Sequence, residues 1–270
     1  MIRRSRSEEQ NMLTRSDNYD RALLAEIYDQ TMTHAEDVAL LRSLIGDAGS
    51  LDILECFSGT GRIMLPLLAD GHNVTGIEIA QAMVDRSRNK AEPLGLAHKF
   101  NVWVRDALSE PWGEENYDVV VLGSNSLFEL ATVRAQKRCI ELACQALRPS
   151  GHLFVDNNNW TSPLRESLGA SWVALEGLGT DGTFARQTAE TISVDESNGL
   201  TVTRRRWYLR TPAGEESWEE YDTSKRPVSG AEVRSWLTEF GFTIERVCGD
   251  FRGTAFDEQS ERAIFWARKI

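Results

Sequence analysis

The sequence lacks the features of a membrane protein, a disulfide-stapled domain or a metal-binding module. No run of eighteen apolar residues occurs, so no membrane span is expected. The four cysteines (Cys56, Cys139, Cys144, Cys248) contain no CxxC pair. Three of them lie in apolar or helical stretches, which suits reduced core thiols in a cytoplasmic protein. The four histidines (His34, His72, His98, His152) are scattered and form no HExxH or Cys/His cluster, so no metal is expected. A basic surplus is missing too: 30 Lys and Arg stand against 41 Asp and Glu, for a net charge of −11. That balance repels phosphate backbones and speaks against a nucleic-acid partner. The opening MIRRSRSEEQNMLTRS is basic but has no apolar centre, so it does not read as a signal peptide. No internal repeat is visible. What is left is an ordinary globular mixture of 270 residues, 41% hydrophobic and 26% charged. It is long enough for one large α/β domain with an insertion.

Residues 19–45 have helical spacing and predict one or two helices ending near Gly46. LDILEC (51–56) runs into a glycine turn, SGTG (58–61), and a helical stretch carrying Pro66 follows. HNVTGIEI (72–79), KFNVWVRDA (99–107), YDVVVLGS (117–124) and GHLFVDN (151–157) read as strands. Helical segments separate most of them, and ATVRAQKRCIELACQALRPSG (131–151) is the longest. Strands alternating with helices predict a parallel sheet with right-handed crossovers. Runs such as VVVL suit strands buried on both faces. Residues 170–225 break this rhythm. From Phe184 onward they read as antiparallel strands joined at Asn198-Gly199 and Ala213-Gly214. Arg204, Arg205 and Arg206 lie in that region. A strand turns at least one of them away from the others, and Glu215, Glu216, Glu219 and Glu220 are available as cross-strand partners, so they read as a solvated sheet face rather than a polyanion site. SGAEVRSWLTEFG (229–241) predicts a helix capped by Ser229. The strands FTIERVCGDF (242–251) and RAIFWARK (262–269) follow too closely for a crossover, so they should pair antiparallel.

Chemistry is concentrated at the strand ends. Gly59 and Gly61 let the backbone bend through positive φ and approach a ligand closely, beside the start of the first crossover helix. Glu78 ends the second strand 17 residues after Gly61, where a carboxylate can accept both hydroxyls of a ribose. Asp106, followed by Ala107, ends the third strand, where a carboxylate can accept an adenine amine. With Glu55 these acids predict one acidic rim. It disfavours a polyphosphate and favours a ligand with a cationic or uncharged sugar-linked group.

The segments ILECFSGTGR, VTGIEIAQAMVDRSR, RDA, YDVVVLGSNSLFEL and GHLFVD, in this order with an insertion and a terminal hairpin, resemble the class I S-adenosylmethionine-dependent methyltransferases. The likeness covers residues 19–157 and 229–269. It implies an α/β, Rossmann-like, mostly parallel seven-stranded sheet with a terminal antiparallel hairpin, an N-terminal helical lid and an antiparallel β insertion. The implied division is a lid over 1–48, a cofactor-binding core over 49–157 and 228–270, and the insertion over 158–227. The implied cofactor is S-adenosylmethionine. By the likeness, Gly59 and Gly61 approach its methionyl part and Arg62 neutralises its carboxylate. Glu78 binds the ribose, Ile79 and Met83 flank the adenine, Asp106 and Ala107 contact it, and Leu122 and Ser124 form a wall beneath the sulfonium. Phe57 departs from the pattern, since many relatives have glycine there. Either its backbone lies in the β region or its ring forms part of the pocket wall. Tyr28, next to Asp29, is expected to pack on cofactor or substrate as part of the lid, and Tyr19 to border the substrate. Asn125, Ser126, Phe128 and Glu129 after the fourth strand, and Asp156, Asn157 and Trp160 after the fifth, border the mouth where the methyl emerges. The mouth segment resembles that of small-molecule N-methyltransferases of the glycine, amino-sugar and lincosamide types.

Methyl transfer demands mainly alignment and exclusion of water, and orientation can supply ~7–11 kcal/mol. A neutral amine needs no general base, and a desolvating pocket lowers an amine's pKa. An oxygen nucleophile would usually need a base or a metal, and His34 in the lid is the only histidine near the expected mouth. The reading is therefore an N-methyltransferase for a small molecule of secondary metabolism, such as antibiotic biosynthesis, with Tyr28 and Phe128 as positioning residues. It has no membrane partner, and the insertion is available for homo-oligomer contacts. The alternatives are an O- or C-methyltransferase of the same fold, a nicotinamide-dependent oxidoreductase, and a non-catalytic module. Against the oxidoreductase, Met64 stands where the third glycine of GxGxxG would fall.

Overall fold

A computed structural model of the chain describes residues 21–270. Tyr19 lies outside them. Two helices come first, α1 (Ala22–Thr31) and α2 (Glu36–Ile45), the second closed by Gly46 at φ 65°. Then follow β1 (Asp52–Cys56), α3 (Met64–Ala69), β2 (Asn73–Glu78), α4 (Gln81–Ala91), β3 (Asn101–Val104), β4 (Tyr117–Leu122), α5 (Val133–Ala146) and β5 (Leu147–Asn158). Four strands make the insertion: β6 (Ser171–Leu178), β7 (Phe184–Asp195), β8 (Leu200–Arg210) and β9 (Glu216–Lys225). The chain ends with α6 (Gly230–Glu239), β10 (Phe242–Cys248) and β11 (Arg262–Lys269).

The main sheet has seven strands in the order β3-β2-β1-β4-β5-β11-β10. All neighbours are parallel except β11, which runs antiparallel to both β5 and β10. Successive residues of the apolar strands fill opposite faces. Leu54, Val120, Leu122 and Val155 pack with α5 and α6 on one side, while Ile53, Val119, Val121 and Phe154 pack with α2 and α3 on the other. That is the two-sided burial a parallel sheet requires. Helix α5 starts at Thr132, whose side chain accepts the Ala135 N–H at 3.1 Å. Ser229 and Glu232 form a capping box on α6.

The insertion is a separate antiparallel sheet, β6-β7-β8-β9. The turns at Asn198-Gly199 and Ala213-Gly214 are where the sequence puts them. Strand β6 is missed by the sequence pattern, because a register shift between Val173 and Leu175 breaks its alternation. One face of this sheet packs on α1 through Leu24, Ile27, Leu175, Ala185, Trp207 and Tyr221. At its far end Lys225 forms an ion pair with Glu129, and the Arg226 N–H donates to the Phe128 carbonyl at 3.0 Å. The insertion therefore bridges α1 and the segment after β4. No helix among the described residues is long and apolar enough to cross a membrane.

Candidate active site

The site is built where β1, β2 and β4 end. The backbone leaves β1 through a turn with Phe57 at φ 63°, Gly59 at φ 52° and Gly61 at φ 76°. Phe57 is therefore not in the β region, the first of the two alternatives expected from sequence. It adopts a left-handed conformation, which costs a β-carbon residue ~1–2 kcal/mol. Its ring packs on the core.

The two glycines act differently. A Cβ at Gly61 would come within 2.2 Å of Ser87 Oγ and 3.2 Å of Leu65 Cγ, whereas one at Gly59 would meet nothing within 4 Å. Gly61 is thus required by packing, and Gly59 keeps the ligand side of the turn open. Gly61→Ala is expected to destabilise the fold by about 2–4 kcal/mol, from overlap plus strained φ. Gly59→Ala should cost about 1 kcal/mol in stability and a larger factor in cofactor affinity. Thermal unfolding with and without S-adenosylmethionine separates the two.

Glu78 holds this turn in place. Its Oε2 accepts the Gly59 N–H at 2.9 Å, and its Oε1 accepts the N–H groups of Ile79 at 2.8 Å and Ala80 at 2.9 Å. The carboxylate thus sits at the open side of the glycine bend. Glu55 is different. It is buried (4% exposed), its Oε2 has no hydrogen-bond partner, and burial pushes its pKa from 4.5 up to about 8. Arg62 and the Met64 N–H counteract that rise, while Asp37 and Glu78 add to it.

Arg62 offsets the Glu55 charge only in part, because Asp37 holds it. Their two bonds are 2.7 and 2.6 Å, and Asp37 is 1% exposed. Arg62 also donates to the His34 carbonyl at 2.8 Å and to Ser124 Oγ at 2.5 Å. The expectation that Arg62 neutralises a cofactor carboxylate thus meets a guanidinium already holding a carboxylate. The second buried guanidinium–carboxylate pair is Arg262 with Asp156, at 2.9 Å. Asp156 is held above its ordinary pKa by burial, against the pull of Arg262. Three buried carboxylates therefore face two guanidinium groups, and Glu55 is the one only partly compensated.

The three acids of the rim stand at or just past the carboxyl ends of the neighbouring parallel strands β1, β2 and β3, in a staggered row. Glu55 aligns with Gly76, and Glu78 with Val104, so each acid stands two residues further along than the last. Glu55 points into the buried charges, Glu78 lies in the turn, and Asp106 is exposed on the third strand's end, with its carboxylate accepting the Leu108 N–H. Glu78 is near enough for its charge to act on Glu55. Ile79 is 46% exposed beside Glu78. Met83 belongs to a packed contact. It is buried with Ala25 and Ala80 where α1 meets α4, and Tyr28 packs against the same cluster. Ala107 is buried, and its carbonyl accepts the Trp112 indole N–H at 2.6 Å.

Helix α1 is fastened over the turn by Asp29, a residue that sequence reasoning overlooks beside Tyr28. Asp29 accepts Thr60 Oγ1 at 2.9 Å, Arg86 Nε at 3.1 Å and Lys90 Nζ at 2.5 Å. Burial raises its pKa, but these donors outweigh that and leave it lowered. Tyr28 is half-buried, and its phenol lies within electrostatic range of Arg62.

After β4, Ser124 (φ 55°) and Asn125 (φ 60°) are both left-handed. Asp156 holds them there: its Oδ2 accepts the Ser124 N–H at 3.1 Å and its carbonyl the Asn125 N–H at 2.9 Å. Leu122, just before, is wholly buried. Three expected substrate contacts are committed elsewhere. Asn125 Oδ1 accepts the Asn158 N–H at 2.6 Å, Glu129 pairs with Lys225, and Phe128 is a buried core residue that anchors the turn. A mouth segment strained in this way needs anchors, and a large ring gains more by burial than by exposure. Asn157 is the reverse. It is 1% exposed, with both side-chain polar atoms unpartnered, and Ser126 Oγ after β4 and Trp160 Nε1 after β5 are also buried without partners.

Of the other titratable groups, His34 Nε2 is 3.8 Å from Asp37 Oδ2, and His72 Nδ1 accepts the Leu51 N–H at 3.2 Å. His152 Nε2 is 3.0 Å from Glu245 Oε2. Among the described residues no group of three or more His, Cys, Asp or Glu side chains is arranged to hold a metal ion. Two open surface grooves of about 890 Å³ lie elsewhere, one lined by α5 residues and Phe240, the other by α6 residues and Phe256.

Residues 53–151 match the model of a methyltransferase domain. The chain is 25% identical to the putative methyltransferase YqeM of Bacillus subtilis, over 91% of this chain and 95% of that protein. Its fold is similar to that of the CcbJ methyltransferase of Streptomyces caelestis, at 21% identity and a TM-score of 0.72, covering 93% of this chain and 98% of that one. It is similar as well to the sugar N-methyltransferase KedS8 of a Streptoalloteichus species, at 15% identity and a TM-score of 0.69, covering 90% of each chain. Fold, strand-end site and domain match define the class: a methyltransferase of the class I fold, with S-adenosylmethionine as cofactor. The residues fit that cofactor. A buried and only partly compensated carboxylate, Glu55, suits a cationic ligand, Gly59 leaves a cradle open, and Glu78 presents two carboxylate oxygens beside it.

Proposed function

We propose that this chain methylates an amine nitrogen of a small-molecule acceptor in secondary metabolism. When bound, S-adenosylmethionine supplies an electrophilic methyl group on a sulfonium. The chain's own contribution is orientation and exclusion of water. Asp29 ties α1 to the glycine turn and to α4, closing one side of the site. Glu78 and Gly59 hold the sugar end, and Glu55 favours positive charge at the other.

One observation carries the amine reading: the buried, unpartnered carboxamide of Asn157 at the end of β5, next to the strained Ser124–Asn125 turn. Its Oδ1 can accept an acceptor N–H and so direct the nitrogen lone pair, without removing a proton before attack. A buried amide left unpaired costs ~1–3 kcal/mol, so a ligand that satisfies it is favoured. The fold's similarity to the sugar N-methyltransferase KedS8 supports an amino sugar as the acceptor.

The test incubates the full chain with methyl-labelled S-adenosylmethionine and a panel of amino sugars and simpler amines, and locates the label by tandem mass spectrometry. The expected label is on nitrogen. Asn157→Ala should raise the acceptor KM at least tenfold, with cofactor affinity unchanged. Label only on oxygen or carbon, or an unchanged acceptor KM, rejects the reading.

A further inference from the structure

Strand β8 carries three consecutive arginines, and the fold separates them. Arg204 and Arg206 face outward and are neutralised. Arg204 Nε is 2.9 Å from Asp222 Oδ1, and Arg206 Nη1 is 3.1 Å from Glu190 Oε2, with Glu220 pairing as well. The outward Arg186 on β7 is also paired, with Glu176. Of the glutamates expected as partners for the triplet, only Glu220 serves it. Glu216 accepts the Tyr208 hydroxyl and Glu219 pairs with Arg21.

Arg205 turns to the opposite face and is 8% exposed. Its Nη1 donates to Gln187 Oε1 at 2.7 Å and its Nε to Thr223 Oγ1 at 3.4 Å. Tyr221 stands directly across from it and accepts the Gln187 amide at 2.8 Å. Thr191, Thr201 and Thr203, also buried, share this face. All these neighbours are neutral. Among the described residues no carboxylate lies within ion-pair distance of Arg205. Desolvating a guanidinium costs several kcal/mol unless an anion compensates it, and arginine is seldom buried otherwise. The sheet supplies acids for every outward arginine of β7 and β8 named above and none for this one.

Its position gives the charge a use. The inner face runs from Trp207, packed on Leu24 and Ile27 of α1, to the Thr201–Lys225 rung, where Lys225 holds Glu129 of the mouth segment. Arg205 lies between, four residues and about 13 Å from that rung. The same α1 is bonded through Asp29 to the glycine turn. The face bearing Arg205 is therefore connected at one end to the cofactor turn and at the other to the acceptor mouth.

We propose that Arg205 is an anchor for an anionic oxygen group, a carboxylate or a phosphate ester, carried by the acceptor away from the nitrogen that is methylated. A guanidinium fork forms short charge-assisted bonds to such groups and fixes their orientation as well as their charge. Binding energy from a remote anchor of this kind is available to align the reacting end. The proposal rests on the small-acceptor reading for the location of the acceptor, but anion capture can be measured without methyl transfer.

The test is thermal unfolding and calorimetry of the full chain with inorganic phosphate or acetate, each against chloride at constant ionic strength. One of the two anions is expected to stabilise the wild type saturably; phosphate would indicate a phosphorylated acceptor and acetate a carboxylated one. Arg205→Gln should weaken that response at least tenfold, Arg205→Lys should keep part of it, and Arg206→Gln should keep all of it. No saturable response to either anion in the wild type, or a full response in Arg205→Gln, overturns the anchor. If Arg205→Gln does not fold, Arg205→Lys decides: the anchor stands if the response is weakened and falls if it is undiminished. Anion capture without amine methylation would leave the anchor standing and remove the function proposed above, and methylation with no anion response would do the opposite.

Discussion

Replacing Glu78 by glutamine is expected to weaken S-adenosylmethionine binding by more than tenfold, a loss of at least ~1.4 kcal/mol. The carboxylate has two oxygens, and both are in use: Oε2 receives the Gly59 N–H, and Oε1 the N–H groups of Ile79 and Ala80. A ribose in this cradle would add hydroxyl donors to the same two oxygens. Glutamine keeps one acceptor and puts an NH2 group where the other stood. It must then face either Gly59 or the ribose with a donor against a donor. Hydrogen bonds to charged groups contribute ~1.5–3 kcal/mol each, so losing even one exceeds the tenfold mark. The same donor-against-donor clash at the turn should also lower the thermal stability of the ligand-free protein, by about 1–3 kcal/mol, so affinity is compared at a temperature where both proteins are folded. Titration calorimetry checks this, and an unchanged affinity removes Glu78 as the ribose partner.

The second large effect concerns pH. With its pKa pushed up to about 8 by burial, Glu55 is protonated in the folded, ligand-free protein near neutrality, whereas in the unfolded chain it ionises near 4.5. The folded state therefore binds the extra proton between these values. The contribution of Glu55 to stability is greatest below about pH 4.5, falls as pH rises toward 8, and levels off above that. Each tenfold difference in proton affinity between the two states is worth ~1.4 kcal/mol, so the cost in alkaline solution amounts to several kcal/mol. Glu55→Gln is neutral throughout. It should unfold at a distinctly higher temperature than the wild type at about pH 8.5 and at nearly the same temperature at about pH 5. A cation held beside Glu55 favours its charged form. Cofactor binding to the wild type near neutral pH should therefore release up to one proton, read from calorimetry in buffers of different ionisation enthalpy, and binding to the variant should release none. Parallel melting curves across this pH range would show that Glu55 is not the buried acid that matters.

The acids also show how far sequence reading reaches. Their places at strand ends follow from local pattern, because a carboxylate at the end of an apolar run before a turn is visible in a single segment. Their roles do not. Glu55 lacks a full counter-charge because Arg62 is taken by Asp37, 25 residues away, and because Arg262, 106 residues beyond Asp156, is taken by that residue. Phe128 has the sequence position of a mouth residue after β4 and is a core anchor, because α5, α6 and β5 close over it. Met83 has the sequence position of an adenine neighbour, and only the fold shows that it also packs at the contact between α1 and α4. The three arginines of β8 form one basic run in sequence and two opposite environments in the sheet.

The sequence by itself determined the fold class, and its resemblance to a known family implied the cofactor. Apolar runs, helical spacing and a glycine bend are local features, and a parallel sheet places every such bend on one edge. Only the tertiary structure decided which charges are compensated, which rings are buried and which polar groups lack partners. Those properties depend on what approaches through space in a medium of low dielectric constant, and there the nearest charge or hydrogen-bond partner comes from a distant part of the chain.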